Sequence, residues 1–189
     1  MRGQFLCMSA IGLLIAGAAQ SRECSGAVFP ERLQSEAGTL VLNGLGMRQA
    51  TVFKVNVYVS ALYLPKPTTD ANAILGSGSP YELVLQFVRN VGAKDIVKGW
   101  SEGFERNSHE QLPALNGRIA MLTGWMSDIN TGQQMQFTFR PGVGLQVIIN
   151  GTPKGTITGD DFGRAFLAIW LGVPANPEIK AGMLGGSCS

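Results

Sequence analysis

The hydrophobic period changes along this chain from two to about 3.6 and back to two, and few architectures accommodate that order. Thr39-Leu40-Val41-Leu42 opens a strand that runs past Gly44-Leu45-Gly46 toward Arg48. Residues 51–64, rich in Val, Phe and Tyr, predict a second strand, stopped by Pro65-Lys66-Pro67. On it Phe53, Val55, Val57, Val59, Ala61 and Tyr63 share one face, expected to be core, and Lys54, Asn56, Tyr58 and Ser60 share a mixed one. A short helix is expected over 70–75 and a strand over 81–89, with Leu83, Leu85 and Phe87 alternating against Glu82 and Gln86.

From Ala93 the pattern turns helical: Ile96, Trp100 and Phe104 recur every four residues, and Leu115, Ile119, Leu122 and Met126 mark a second helix. Period two returns at 134–139, 145–149 and 155–158, joined by Pro141-Gly142 and Asn150-Gly151 turns, which predicts a three-stranded meander. Asp160-Asp161 then sets acids at the positive end of a last helix that runs through Phe166 and Trp170 to Gly172 and Pro174. Strands on both sides of a helical pair, followed by a helix, describe an α+β fold, an antiparallel sheet covered on one face by helices.

Residues 1–19 read as a signal peptide, with Arg2, an apolar run to Ala18 and small residues before Gln20. The run is shorter than the roughly 20 residues of a membrane-spanning helix. An uncleaved anchor is the weaker alternative. The expected destination is the periplasm or the exterior, with no membrane span left after the leader is removed. Cys7 then departs, leaving Cys24 and Cys188 in an oxidising compartment, where one disulfide joining the two ends is expected; two free thiols in frayed tails are the alternative. Residues 20–37 look polar and irregular, 38–184 form one domain, and 185–189 are a tail.

Composition narrows the function. The chain is 189 residues long, 45% hydrophobic and only 15% charged, which fits one compact domain. A net charge of +2 with scattered Lys and Arg argues against nucleic acid as a partner. No C-x-x-C and a single His leave no metal-site pattern, and no cofactor is implied. Gly99-Trp100-Ser101-Glu102-Gly103 fits a nucleophile motif but falls inside a helical period, and His109 follows too closely to serve as its base. His109 is expected at a solvated helix end, and Asp160-Asp161 at a helix start rather than on a metal.

Five motifs in order carry a resemblance: LNGLGMR (42–48), FKVNVYVSALYLP (53–65), KDIVKGW (94–100), FRPGVGL (139–145) and GDDFGRAFLAIWLG (159–172). Together they resemble the bacterial branch of the chalcone isomerase-like superfamily. The resemblance implies a large antiparallel sheet under a layer of helices, with the ligand held between the layers. It divides between isomerases that close chalcones and non-catalytic binders, some of which bind fatty acids. Both place an Arg in the cleft after a G-x-G turn, a role that falls here on Arg48. In the binders a Tyr on the next strand joins it at the carboxylate, and Tyr58 aligns there, where the isomerases have Thr.

Two polar groups of the isomerases have no counterpart. No Tyr lies in residues 91–96, and Gly163 stands where a last-helix hydroxyl is expected. The expected function is therefore binding of a small apolar carboxylate, such as a fatty acid, or of a phenolic ligand, by Arg48 and Tyr58, with Trp100 and Phe104 along its tail. An intramolecular lyase acting on a chalcone-like substrate is the first alternative. The second is an envelope interaction protein whose cleft has closed, with Arg48 satisfied by an internal acid and Tyr58 a packed strand residue.

Overall fold

The computed structural model describes residues 20–51, 53–174 and 176–188; the expected leader, with Cys7, lies outside them. A two-stranded ribbon, β1 (Ser21–Cys24) and β2 (Ala27–Pro30), precedes a seven-stranded antiparallel sheet. The sheet comprises β3 (Arg32–Ser35), β4 (Gly38–Ala50), β5 (Val55–Leu64), β6 (Tyr81–Phe87), β7 (Gln134–Arg140), β8 (Gly144–Ile149) and β9 (Thr152–Ile157), adjacent in chain order. Helix α1 (Ala71–Ser77) joins β5 to β6, and α2 (Ala93–Ser108) and α3 (Leu112–Gly124) join β6 to β7. Helices α4 (Asp160–Leu171) and α5 (Pro177–Met183) follow the sheet.

The α+β expectation holds, and local chemistry explains most boundaries. Asp70 caps α1 through Oδ1, which accepts from the Asn72 and Ala73 amides at 2.9 and 3.1 Å. Asn150 and Gly151, with φ of 49° and 75°, make the tight turn between β8 and β9 that the right-handed strand twist favours.

The core expectation needs correction on the other face of the sheet. Helices cover one face, where Phe137, Phe166 and Trp100 form edge-on and tilted aromatic pairs with centroids 4.7–5.7 Å apart. The opposite face of β4–β6 is buried as well. There Leu40, Leu42, Met47, Val59, Ala61 and Tyr63 lie under the ribbon, whose Ala27 and Phe29 point inward while Val28 points out. Residues 20–37 are thus ordered strands rather than irregular chain. Four-residue strands with one or two inward apolar side chains carry too short a pattern to show in sequence. Burying Phe29 alone contributes about 1.5–3 kcal/mol. Strand β5 also begins later than expected, at Val55, leaving Phe53 in the preceding turn and 85% exposed.

Strand β4 runs past Gly44-Leu45-Gly46 and Arg48, as the strand pattern predicts, and ends at Ala50. The G-x-G turn that the resemblance implies before Arg48 is not formed, because these residues lie within the strand. A Cβ on Gly44 would collide with the carbonyl oxygen of Gly182, one on Gly46 with that of Ile179, and one on Gly182 with that of Leu45. The three glycines let α5 lie directly on the β4 backbone. A bulge at Asn43 shifts the register between Leu42 and Gly44, so Leu40 and Leu42 share a face with Leu45 and Met47. Buried Asn43 makes the bulge a joint: its Nδ2 donates to the Met183 carbonyl at 2.8 Å and its Oδ1 accepts from the Thr68 amide at 2.7 Å. Gly44, Gly46 and Arg48 therefore share the helix-side face.

Cys24 and Cys188, 164 positions apart in sequence, are paired with their Cα atoms 6.1 Å apart. Under non-reducing conditions the intact mass should be two hydrogens below that of the reduced chain. Reduction should then lower stability by up to about 5 kcal/mol, the chain-entropy limit for so long a loop. Recovery of two alkylatable thiols from the purified protein would contradict the bond.

A second prediction comes from α4. Asp161 takes both Arg118 Nη atoms, at 2.7 and 2.6 Å, and this pairing holds its carboxyl at about 2, against an ordinary value of 3.8. A depressed folded-state value stabilises the protein above the ordinary carboxylate range, and that contribution disappears as pH falls toward 2. Because the Asp161 side chain is half exposed, Asp161→Asn should cost no more than about 1 kcal/mol at neutral pH. Urea titrations at neutral pH and near pH 2 should show the two proteins converging in acid.

Candidate functional site

Arg48 and Tyr58 are direct cross-strand partners between β4 and β5. Both side chains therefore leave the same face of the sheet, about 4.5–5.5 Å apart at Cβ. They line a cavity of about 500 Å³ between the ends of β4–β6 and helices α2, α4 and α5, a size typical of small-molecule sites. The cleft is open, unlike the closed-cleft alternative. Its apolar walls include Val57, Phe87, Ile96, Trp100, Ile169 and Ile179.

Tyr58 is prepared as a donor. Its hydroxyl oxygen accepts from Trp170 Nε1 at 3.0 Å, which leaves the hydroxyl hydrogen for another partner. Burial pushes its pKa up; the Arg48 charge and the Trp170 hydrogen bond oppose that only in part. Tyr58 is thus a neutral phenol at physiological pH. Its ring packs on Phe87 with centroids 5.3 Å apart.

Arg48 has only neutral partners. One Nη1 bond goes to the Gln49 carbonyl and another to Asn176 Oδ1 at 3.3 Å. Among the described residues Arg48 forms no ion pair, so the internal-acid alternative does not hold. Asn176 was not anticipated. It occupies the N-cap position of α5, yet its side chain caps nothing: Oδ1 accepts from the Gln49 amide at 3.4 Å and Nδ2 donates to the Met47 carbonyl at 3.2 Å. Asn176-Pro177 was the available signal, an N-cap residue before a proline at the first helical position.

The charge around the cavity is mainly positive. Arg48, Arg89, Lys98 and Arg106 line it, against Asp95 and Glu102. None of Arg89, Lys98 and Arg106 is ion-paired among the described residues. Four cations against two anions, over apolar walls, make a site suited to an anion with an apolar body.

Trp100 lines the cavity as expected, but Phe104 does not. One helical turn farther along α2, Phe104 is fully buried and tilted against Phe162 and Phe166 at 5.8 and 6.4 Å. Trp170, expected at core spacing, serves the site through its indole N–H. Gly163 is closed to any side chain, because a Cβ there would enter the Phe139 ring, and its carbonyl accepts from the Tyr81 hydroxyl at 2.7 Å. The nucleophile motif lies within α2 with Ser101 exposed, and His109 pairs with Glu105 at 2.6 Å on the surface. Asp160 Oδ1 accepts from the Gly142 amide at 2.8 Å, and no cluster of His, Cys, Asp and Glu able to hold a metal occurs among the described residues. Nor is any described helix long and apolar enough to cross a membrane.

No curated protein sequence matches this chain significantly. Among solved structures it is similar to the crystal structure of the Arabidopsis thaliana fatty-acid binding protein AtFAP1. The TM-score is 0.67 at 15% identity, over 87% of this chain and 96% of that one, a likeness of fold. A family model described as chalcone isomerase-like matches residues 21–185, so the domain includes the N-terminal ribbon that the sequence reading left outside it. On that match, the chain belongs to the chalcone isomerase-like family.

Proposed function

We propose that this protein is an exported, non-catalytic binder of an apolar carboxylate, with a long-chain fatty acid as the leading ligand. The observation that carries the proposal is the cross-strand pair. Arg48 brings to the cavity a guanidinium with neutral partners and no ion pair among the described residues, and Tyr58, its hydroxyl oxygen already engaged by Trp170, has a hydrogen to give. A carboxylate meeting both would take charge-assisted hydrogen bonds, and its chain would run along Phe87, Ile96 and Trp100. The similar fold of a fatty-acid binding protein supports this reading. Export rests on the sequence pattern of residues 1–19 and on the Cys24–Cys188 pairing.

An intramolecular lyase is the second reading, because Arg48 has the chemistry to polarise a carbonyl. The absent Tyr at 91–96 and the crowding at Gly163 weigh against it.

Calorimetric titration with saturated fatty acids of increasing length should show affinity rising about fourfold per methylene until the cavity is full, from about 0.8 kcal/mol per buried CH₂. Arg48→Ala should weaken binding by about 1.5–3 kcal/mol, the loss of a hydrogen-bonded charge, and Tyr58→Phe by about 1 kcal/mol. Binding indifferent to Arg48 would reject the carboxylate assignment, and Arg48-dependent cyclisation of a chalcone would favour the lyase. N-terminal sequencing of protein secreted from an expressing cell should find the leader removed near Gln20; an intact Met1 would reject cleavage.

A further inference from the structure

Large exposed hydrophobic side chains are few on the described surface, and two of them lie within two residues in sequence of residues that line the cavity. Phe53, 85% exposed, sits in the β4–β5 turn two residues after Thr51, which lines the cavity. Val173, 61% exposed, immediately precedes Pro174, which also lines it. Both positions are held. The Phe53 amide donates to Thr51 Oγ1 at 3.3 Å, and the Val173 carbonyl accepts from Asn107 Nδ2 at 3.2 Å and Arg106 Nη1 at 3.4 Å. The turn adopts positive φ at two non-glycine residues, Thr51 at 62° and Lys54 at 50°, a costly backbone for a β-branched side chain. Exposed Arg89, Lys98 and Arg106 line the same cavity against exposed Asp95 and Glu102, and half-buried Arg48 adds a fourth cation.

We infer that the mouth of this cavity docks on an anionic phospholipid bilayer, with Phe53 and Val173 entering the interface and the rim cations meeting lipid phosphates. The inference rests on reading the cavity as an acyl-chain site. A long fatty acid partitions into bilayers rather than water, so a mouth applied to the membrane receives it without exposing the chain. Charge complementarity selects the occupant: each rim cation near an anionic leaflet strengthens attachment by roughly fivefold, and an aromatic side chain suits the interfacial layer. Scattered single hydrophobics are ordinary on a protein surface. Here both adjoin residues of one cavity, together with cations that form no ion pair among the described residues.

Ligand-free protein should co-float with vesicles of phosphatidylcholine and phosphatidylglycerol and not with phosphatidylcholine alone, and added salt should release it. Phe53→Asp and Val173→Asp, neither residue lining the cavity, should each reduce co-flotation by about tenfold or more. Both should bind fatty acid in detergent-free buffer as the unmodified protein does. Absence of co-flotation, or co-flotation equal in both variants, would overturn the docking face. So would a dimer abolished by Phe53→Asp without any vesicle binding, because the patch would then belong to self-association. Failure to bind fatty acid in calorimetry would remove the ligand assignment alone, since co-flotation is read without ligand.

Discussion

The close contact between α5 and β4 is the constraint on which the site depends. Strands and helices ordinarily meet through side chains; here Gly44, Gly46 and Gly182 remove them, so the helix backbone rests on the strand backbone. A helix held at ordinary distance would withdraw Ile179 from the cavity wall and Asn176 from Arg48. The contact is locked at both ends of the helix. Asn43 bonds the Met183 carbonyl, and Asn176 bonds the Met47 carbonyl. The Asn43 bulge, which makes the first lock possible, also corrects the parity of β4 so that Arg48 leaves the sheet beside Tyr58. One packing decision therefore positions the cation, its clamp and part of the cavity wall.

The electrostatics of the cleft follow from how deeply each group is set. Arg48 is half-buried rather than sealed, so it keeps some hydration and its desolvation penalty stays moderate. Its neutral partners orient the guanidinium without discharging it. Tyr58 works in the opposite sense, because burial keeps the phenol protonated and Trp170 fixes which way its hydrogen is free to point. A cation and a neutral donor set side by side favour a carboxylate over an alcohol, since only the carboxylate brings a negative charge and a second acceptor oxygen.

Much of this was legible in sequence. The three changes of period located most strands and helices, and the α+β class follows from their order. Arg48, Tyr58 and Trp100 were identifiable, while their meeting place depends on two things that no periodicity reports: the Asn43 bulge and the turn at 51–54. The glycines of the LNGLGMR motif were legible as residues but not as geometry, because a close approach and a sharp bend both call for a missing side chain. Helix α5 was not read from the sequence, because Gly172 and Pro174 were taken to end the last helix, and Asn176 was missed with it. Phe104 was assigned to the cleft because it shares a helix face with Trp100. A helix face names a direction, whereas the cavity ends one turn earlier. The short strands of residues 20–37 carry so few apolar side chains that only their tertiary partners reveal them.

The Cys24–Cys188 pairing has a topological consequence. With the two ends of the described fold joined by a bond that spans 164 positions, nearly all of that fold becomes one covalent ring. A cut in any exposed loop inside that ring would leave a single molecule, and the ends at 24 and 188 are already close enough for a short peptide to replace the sulfur bridge. The fold is therefore suited to circular permutation. New termini would be tolerated best at the Asn150-Gly151 turn, far in sequence from the locks on α5 and outside every residue of the cavity.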